Sequence, residues 1–461
     1  MTHGSTIADI DRQHLFHPFT PLKTFDASGP ALTMVSGIGS TLTDAAGNQY
    51  LDAMAGLWCV NVGYSHPRMA DAISEQARRL PYYHAFSGMG TDAPARLAER
   101  VSALAPVPIS RVFFGNSGSD ANDTQVKLVW YYNNVRGLPA KKKIIARRRG
   151  YHGVTVMSAS LTGLTNLHDG FDLPLPMVRH VRPPHRLWER EEGATDAEFV
   201  ATLAHELDEL IMSEGPETVA AFIAEPVQAA GGVIVPPETY FPAIREVLDR
   251  HDVLLIADEV VTGFGRLGVP FGSEALGIQP DLITVAKGIT SAYIPLSACL
   301  VGPRVWEVLR EGESQYGGFG HGYTYSAHPL AAAAALANLD IIENDALIAR
   351  AGSLGDHLHA QLTLAFADHP WVAEIRGRGL MAAVEFVERR EPLKAFDPRR
   401  GIAVQIAKRA LAHGVITRAL PAADTVSFSP PFTTTEDEVV AMVAGVRRAL
   451  DDVYRSETSG A

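Results

Sequence analysis

Cysteine is nearly absent: Cys59 and Cys299 are the only two in 461 residues. Two thiols cannot build a disulfide framework or a thiolate metal site, so a reducing cytoplasm is the expected setting. No apolar run is long enough to span a bilayer. Met1 to Arg12 is polar and has no signal-peptide core, so no membrane partner is expected. Positive charge is also in short supply. A net charge of −12 disfavours nucleic acid as a partner. One basic run, Lys141 to Lys143 and Arg147 to Arg149, flanks Ile144-Ile145-Ala146 and reads as a solvated strand end. The chain lacks a Gly-x-Ser-x-Gly elbow, a His-Glu-x-x-His pair, a Cys-x-x-Cys pair and a Walker loop. Its 17 histidines show no metal-ligand spacing, so no metal is expected.

What is present is an ordinary globular composition, 46% apolar and 20% charged, with length for two or three domains. The first thirty or so residues, with His14, Phe16, His17 and Phe19, read as irregular and must pack on something to be ordered. Ser40 to Asp44, a Gly47-Asn48 turn and Tyr50 to Asp52 suggest a hairpin. Pro67 to Arg79 reads as a helix with proline in its first turn. From about residue 90 to 330, strands such as Val112-Phe113-Phe114 and Phe222-Ile223-Ala224 alternate with helices such as Ser119 to Tyr132 and Pro242 to Arg250. That alternation predicts an α/β fold with a mostly parallel sheet sandwiched by helices. An alanine-rich helix, Leu330 to about Asn344, leads to a smaller α+β domain, whose last helix opens on a capping box at Thr435 to Glu438.

Two strand ends carry unusual charges. The apolar run Ile283 to Ala286 ends in Lys287, where burying an ammonium is costly. A desolvated lysine has a lowered pKa and attacks carbonyls to form a Schiff base. Upstream, Val253 to Ala257 ends in Asp258-Glu259, acids at the carboxyl end of a strand, where open α/β sheets build their sites. Together they suit pyridoxal 5′-phosphate (PLP): the lysine holds the aldehyde as an imine, and the carboxylate keeps the pyridine nitrogen protonated. Gly115 to Asp120, between a strand and a helix, is either a phosphate-binding helix start or a plain capped turn. Tyr151 can stack on a ring or pack in a core, and Glu225 ends another strand. Gly263 to Gly268 spells a dinucleotide fingerprint, but a loop rather than a helix is expected after it.

These pieces resemble the class III aminotransferases, fold type I PLP enzymes, over nearly the whole chain. The matching stretches come in order: Gly56 to Tyr64, Asn116 to Asn122, Tyr151-His152-Gly153, Glu225-Pro226, Asp258 to Arg266, Lys287-Gly288 and Tyr323 to Ser326. The amine:pyruvate, or ω-, transaminases are most similar. The resemblance implies that Lys287 is catalytic and that Asp258 pairs with the pyridinium. It puts Val261 and Tyr151 on the two ring faces, with His152 also at the cofactor. Gly118 and Ser119 would take the phosphate, with Thr324 from the neighbouring subunit. Glu225 would sit near the ring hydroxyl and support Asp258. Trp58, Phe86, Tyr151 and a mobile Arg418 would meet substrate. The same resemblance implies a homodimer with shared active sites, with pairing into tetramers left open. Its domains would be an N-terminal segment (1–61) in the small domain and dimer contact, a large PLP-binding domain (62–335) and a C-terminal small domain (336–461). The expected reaction moves an amino group from a primary amine or ω-amino acid to pyruvate in two half-reactions. A β-alanine, taurine, 4-aminobutyrate or diamine transaminase, or an aminomutase, is the alternative. Asp120 departs from the glutamate many members carry, which should alter helix-start geometry more than chemistry.

Overall fold

Strands Val219–Ala224 and Leu254–Asp258 are buried at every residue, which requires cover on both faces of their sheet. A computed structural model, describing residues 6–458, shows that cover. The first five residues of the polar N-terminal stretch and the last three of the chain lie outside the described residues. Seven strands form the large sheet, in the order Arg111–Gly115, Ser297–Val301, Leu282–Val285, Leu254–Asp258, Val219–Ala224, Lys143–Arg147 and Val178–Val181. Only Ser297–Val301 runs antiparallel to its neighbours. On one face, Phe199, Leu203, Leu207 and Ile211 of helix Asp196–Glu214 pack with Phe222, Ile244 and Val247. On the other, Val126, Leu128 and Val129 of helix Gly118–Val135 pack with Ile223 and Ile256. The α/β expectation therefore holds, and the parallel strands deliver their carboxyl ends to one edge.

Two smaller sheets complete the fold. Met34–Ile38, Thr41–Asp44 and Gln49–Asp52 form an antiparallel ribbon, joined by Val415–Ile416 in parallel with the third strand. Val372–Gly377, Ala382–Phe386, Thr425–Phe428 and Arg418–Ala419 form an antiparallel sheet. The final helix, Glu436–Thr458, opens on the expected capping box: Glu438 N–H donates to Thr435 Oγ1 at 3.2 Å, and Thr435 N–H to Glu438 Oε2 at 2.8 Å. No helix among the described residues is long and apolar enough to cross a membrane.

Two expectations need correction. The N-terminal segment is not wholly irregular: helices Ile7–His14 and Leu22–Ser28 form, the first on a Thr6–Asp9 capping box, although neither buries a residue. The basic run is a solvated strand end only in part: Arg148 is exposed, but Lys141 and Arg147 are not. Lys141 is buried and donates to the carbonyls of Pro216 (3.2 Å) and His251 (3.0 Å). Arg147 is fully buried, bonded to Glu225 O, with Tyr240 and Phe241 rings 5.7 and 5.6 Å from its guanidinium carbon. Lys141, and Arg147 through one nitrogen, donate to loop carbonyls, a tertiary use that linear charge patterning cannot show. After Gly263 to Gly268 the chain turns as a loop into the four-residue helix Gly272–Ala275, so the fingerprint opens no helix.

A buried charge cluster ties the second small sheet to the large one. Glu374 and Glu385 are direct cross-strand partners, an arrangement that repels unless cations intervene. Arg376 intervenes, 2.7 Å from Glu374 and 2.5 Å from Glu385, and it also donates to Gly232 O at 2.8 Å. His185 lies 3.6 and 3.5 Å from the two carboxylates, and Arg149 reaches its Nδ1 at 2.8 Å. The cations fill the space among these ligand-type side chains, so their convergence is an ion-pair network. Burial alone raises Glu374, but His185 and Arg376 outweigh it and bring its carboxyl down to about 2. A depressed acid stabilises the fold above its unfolded pKa and loses that contribution as pH falls through the folded value. The melting temperature should therefore drop between pH 4.5 and 2, with Glu374 contributing on the order of 2–3 kcal/mol. Glu374→Gln should melt lower at pH 7 and lose less on acidification, as scanning calorimetry across that range would show.

Candidate active site

The carboxyl edge of the large sheet gathers the reactive groups. Asp258 ends its strand and is buried. Its Oδ2 accepts Asn122 Nδ2 and His152 Nδ1, both at 2.8 Å, and its Oδ1 accepts Val260 N–H at 3.1 Å. Asn122 also donates to His152 O at 2.7 Å, fastening both groups to one helix turn. His152 Nε2 is buried with no partner among the described residues.

Lys287 follows the neighbouring strand and adopts left-handed backbone, φ 46°. Burial lowers its pKa, while the charges of Cys59, Asp258 and Glu225 pull the other way. A lowered pKa favours the free amine, the form that attacks a carbonyl.

Helix Gly118–Val135 points its start at the same edge. Ser117 caps it in a box with Asp120, whose carboxylate also receives Ser297 Oγ at 3.0 Å. Asp120 thus acts at the helix start. Gly118 and Ser119 N–H have no protein acceptor among the described residues, leaving donors open for an anion. A Cβ at Gly118 would meet Val260 at 3.2 Å, and one at Gly153 (φ 129°) would lie 2.5 Å from Ser119 Oγ. Glycine at both positions lets the loops close on that helix start.

A cleft of about 450 Å³ joins these parts. Lys287, Asp258, Val261, Tyr151, His152, Gly118, Ser119, Glu225, Trp58 and Arg418 all line it. Trp58 is buried in its wall, and the Arg418 guanidinium carbon sits 5.4 Å from the indole centre. Arg418 forms no ion pair among the described residues; burial lowers its pKa, partly opposed by Tyr151. The surface ion pair that would account for an ordinary arginine is therefore missing.

Some site residues behave otherwise. Glu225 makes no hydrogen bond to Asp258: its carboxylate accepts Tyr151 N–H (3.0 Å) and Ala229 N–H (2.9 Å), which ties down two loops. The support of Asp258 expected from Glu225 comes from Asn122 and His152. Sequence reasoning gave Asn122 no role, and the matching stretch ending at Asn122 was the only signal for it. Phe86 and Thr324 are exposed and do not line this chain's cleft. They share a surface region in which Tyr82 donates to Thr324 O at 2.7 Å and Phe86 lies beside Gly322.

Known proteins share this arrangement. A family model described as aminotransferase class-III matches residues 26–450. An uncharacterized aminotransferase of Sinorhizobium fredii is 53% identical over 456 residues, 97% of each chain. The diaminobutyrate–2-oxoglutarate transaminase of Halomonas elongata is 49% identical over 459 residues, 98% of this chain and 97% of that protein. The ω-transaminase of Pseudomonas jessenii, solved in complex with PMP, superposes with a TM-score of 0.96 at 46% identity, over 99% of this chain and 100% of that one.

Removing one charge-assisted hydrogen bond from a buried carboxylate costs about 1.5–3 kcal/mol. Asn122→Leu should therefore slow turnover about tenfold or more with little change in substrate KM, as steady-state kinetics would reveal. An unchanged rate would remove Asn122 from the support of Asp258.

Proposed function

This chain belongs to the class III aminotransferases, enzymes that use pyridoxal 5′-phosphate, and we propose that it transfers an amino group from a primary amine or ω-amino acid to pyruvate. The cleft fits the cofactor. An open helix start suits its phosphate, a buried and well-supported carboxylate suits its ring nitrogen, and an amine of lowered pKa suits its aldehyde. When bound, the cofactor supplies an electron sink that makes the donor's Cα–H acidic.

The protein's residues do the rest. Gly118 and Ser119 would hold the phosphate through their N–H groups, and Asp258, oriented by His152 and Asn122, would receive the pyridinium. Val261 and Tyr151 confine the ring. Lys287 would hold the aldehyde through Nζ and would also supply the base for the donor's Cα proton. Glu225 keeps the Tyr151 loop in place. Thr324 and Phe86, exposed here, complete the site of a second copy in a homodimer. Ile38, Phe16 and Phe171, 78%, 76% and 74% exposed, give that copy apolar surface to cover.

The observation that carries the choice of acceptor is Arg418. Apart from Lys287, it is the only lysine or arginine among the described residues that line the cleft. A guanidinium pairs bidentately with one carboxylate. Pyruvate needs one such partner, whereas 2-oxoglutarate would leave a second carboxylate without counter-charge. The walls formed by Leu57, Trp58, Leu164, Val261 and Pro421 suit an apolar donor in the other half-reaction. A second reading, an ω-amino acid donor with 2-oxoglutarate as acceptor, draws support from the diaminobutyrate relative.

Adding (S)-1-phenylethylamine without keto acid should bleach the yellow band of the loaded protein. Pyruvate should restore the band and 2-oxoglutarate should not. Lys287→Ala should stay folded and show no turnover. Arg418→Leu should raise the KM for pyruvate about tenfold or more, with little change for the aryl amine. Restoration by 2-oxoglutarate alone would establish the second reading.

A further inference from the structure

Asp52 lies outside the cleft, yet it governs how the cleft wall is built. It ends strand Gln49–Asp52 and is 1% exposed. Its Oδ1 accepts Met54 N–H at 2.9 Å, and its Oδ2 accepts Gly56 N–H and Tyr64 O–H, both at 2.6 Å. These bonds brace a turn that is left-handed at Ala55 (φ 46°), Gly56 (φ 66°) and Trp58 (φ 57°). Left-handed backbone is costly for alanine and more so for tryptophan, so it persists only where its surroundings enforce it. The turn's own bonds, Trp58 N–H to Met54 O and Cys59 N–H to Ala55 O, are each 2.9 Å. The result places the Trp58 ring in the wall of the cleft.

The same aspartate sits at the junction that delivers Arg418. Ile416 pairs with Asp52 in parallel register, and Ala53 N–H donates to Ile416 O at 3.0 Å. Arg418 lies two residues further on, facing Trp58. One buried carboxylate thus stands where the chain segments carrying both side chains meet.

We propose that Asp52 is a positioning residue for substrate selection. With Tyr64 it holds the strained turn so that Trp58 stands against Arg418, and this sets the size of donor the cleft admits. The inference rests on the transaminase reading above. Three donors converge on Asp52, and an ionised carboxylate is acceptor-only. Asn in its place would turn an N–H₂ donor toward at least one of them.

The test compares Asp52→Asn and Tyr64→Phe, each in the natural background and with Trp58→Leu. The measurements are kcat/KM for L-alanine and for (S)-1-phenylpropylamine, the cofactor absorbance band, and the affinity for phenylacetate, an inert aryl carboxylate. Asp52→Asn should shift the ratio of bulky to compact donor upward about tenfold, with cofactor content unchanged. Phenylacetate, which needs both Trp58 and Arg418, should bind about tenfold more weakly. In the Trp58→Leu background neither quantity should move further, the mark of action through that side chain. Tyr64→Phe removes one bond and adds no donor, so it should shift both in the same direction by about threefold, and it serves if Asp52→Asn fails to fold. Equal losses for both donors, or the same shift without Trp58, would overturn the proposal. Should the natural protein transaminate neither amine, the transaminase reading fails instead.

Discussion

The hydrogen bonds on Asp258 are the constraint on which the site depends. The carboxylate ends a central strand, inside the protein, beside a lysine whose pKa burial lowers. Such an acid must not drift toward the amine, since a collapsed pair would fill the space a cofactor ring needs. Asn122, His152 and Val260 N–H prevent this by claiming both carboxylate oxygens. Asn122 comes from the helix that presents the open N–H groups, and His152 comes from the loop that presents Tyr151. Fixing Asp258 therefore also fixes the open helix start and the Tyr151 loop relative to it.

This arrangement follows from strand order. Parallel strands bring their carboxyl ends to one edge, and three adjacent ones end in Glu225, Asp258 and, just beyond, Lys287. The antiparallel strand Ser297–Val301 inserts between Leu282–Val285 and Arg111–Gly115 and places Ser297 against Asp120 at the helix start. The smaller sheets supply two further residues of the cleft wall: Trp58 follows the strand ribbon, and Arg418 lies in the second small sheet, two residues past the Val415–Ile416 strand that joins the ribbon. The buried charges thus sit at the edge of the large sheet, and the second small sheet, which carries Arg418, is joined to it by the Arg376 ion-pair network.

What the sequence made legible was local. Asp258 and Lys287 stood out because charge ends an apolar run, and that signal needs no tertiary knowledge. The β-α alternation gave the parallel sheet for the same reason. Asn122 and Asp52 were not legible in this way, because an asparagine inside a helix and an aspartate ending a strand are ordinary until their partners appear. Those partners lie 136 residues away for Asn122 and 12 residues away across a strained turn for Asp52. Lys141 and Arg147 misled in the opposite sense: a basic run suggests water, but carbonyls at loop ends can take the place of water. Phe86 and Thr324 are exposed and lie outside this chain's cleft, so the family resemblance was the only signal for them.

On the proposed function, the geometry around Arg418 would let one cleft serve unlike partners. A guanidinium left without a carboxylate in a partly buried site is held by weaker means, here the face of Trp58. That attraction is smaller than a bidentate ion pair in the same surroundings. A substrate carboxylate can therefore draw Arg418 away from the indole, while an apolar donor can leave it stacked or displace it outward at little cost. The indole must stand in one place for this balance to hold, because cation–π attraction falls off once the charge leaves the ring face. Strain at Ala55 and Trp58 is then not an incidental defect of the turn. It is the cost of holding a large flat side chain at a fixed distance from a movable charge, and the buried Asp52 carboxylate is what sustains it.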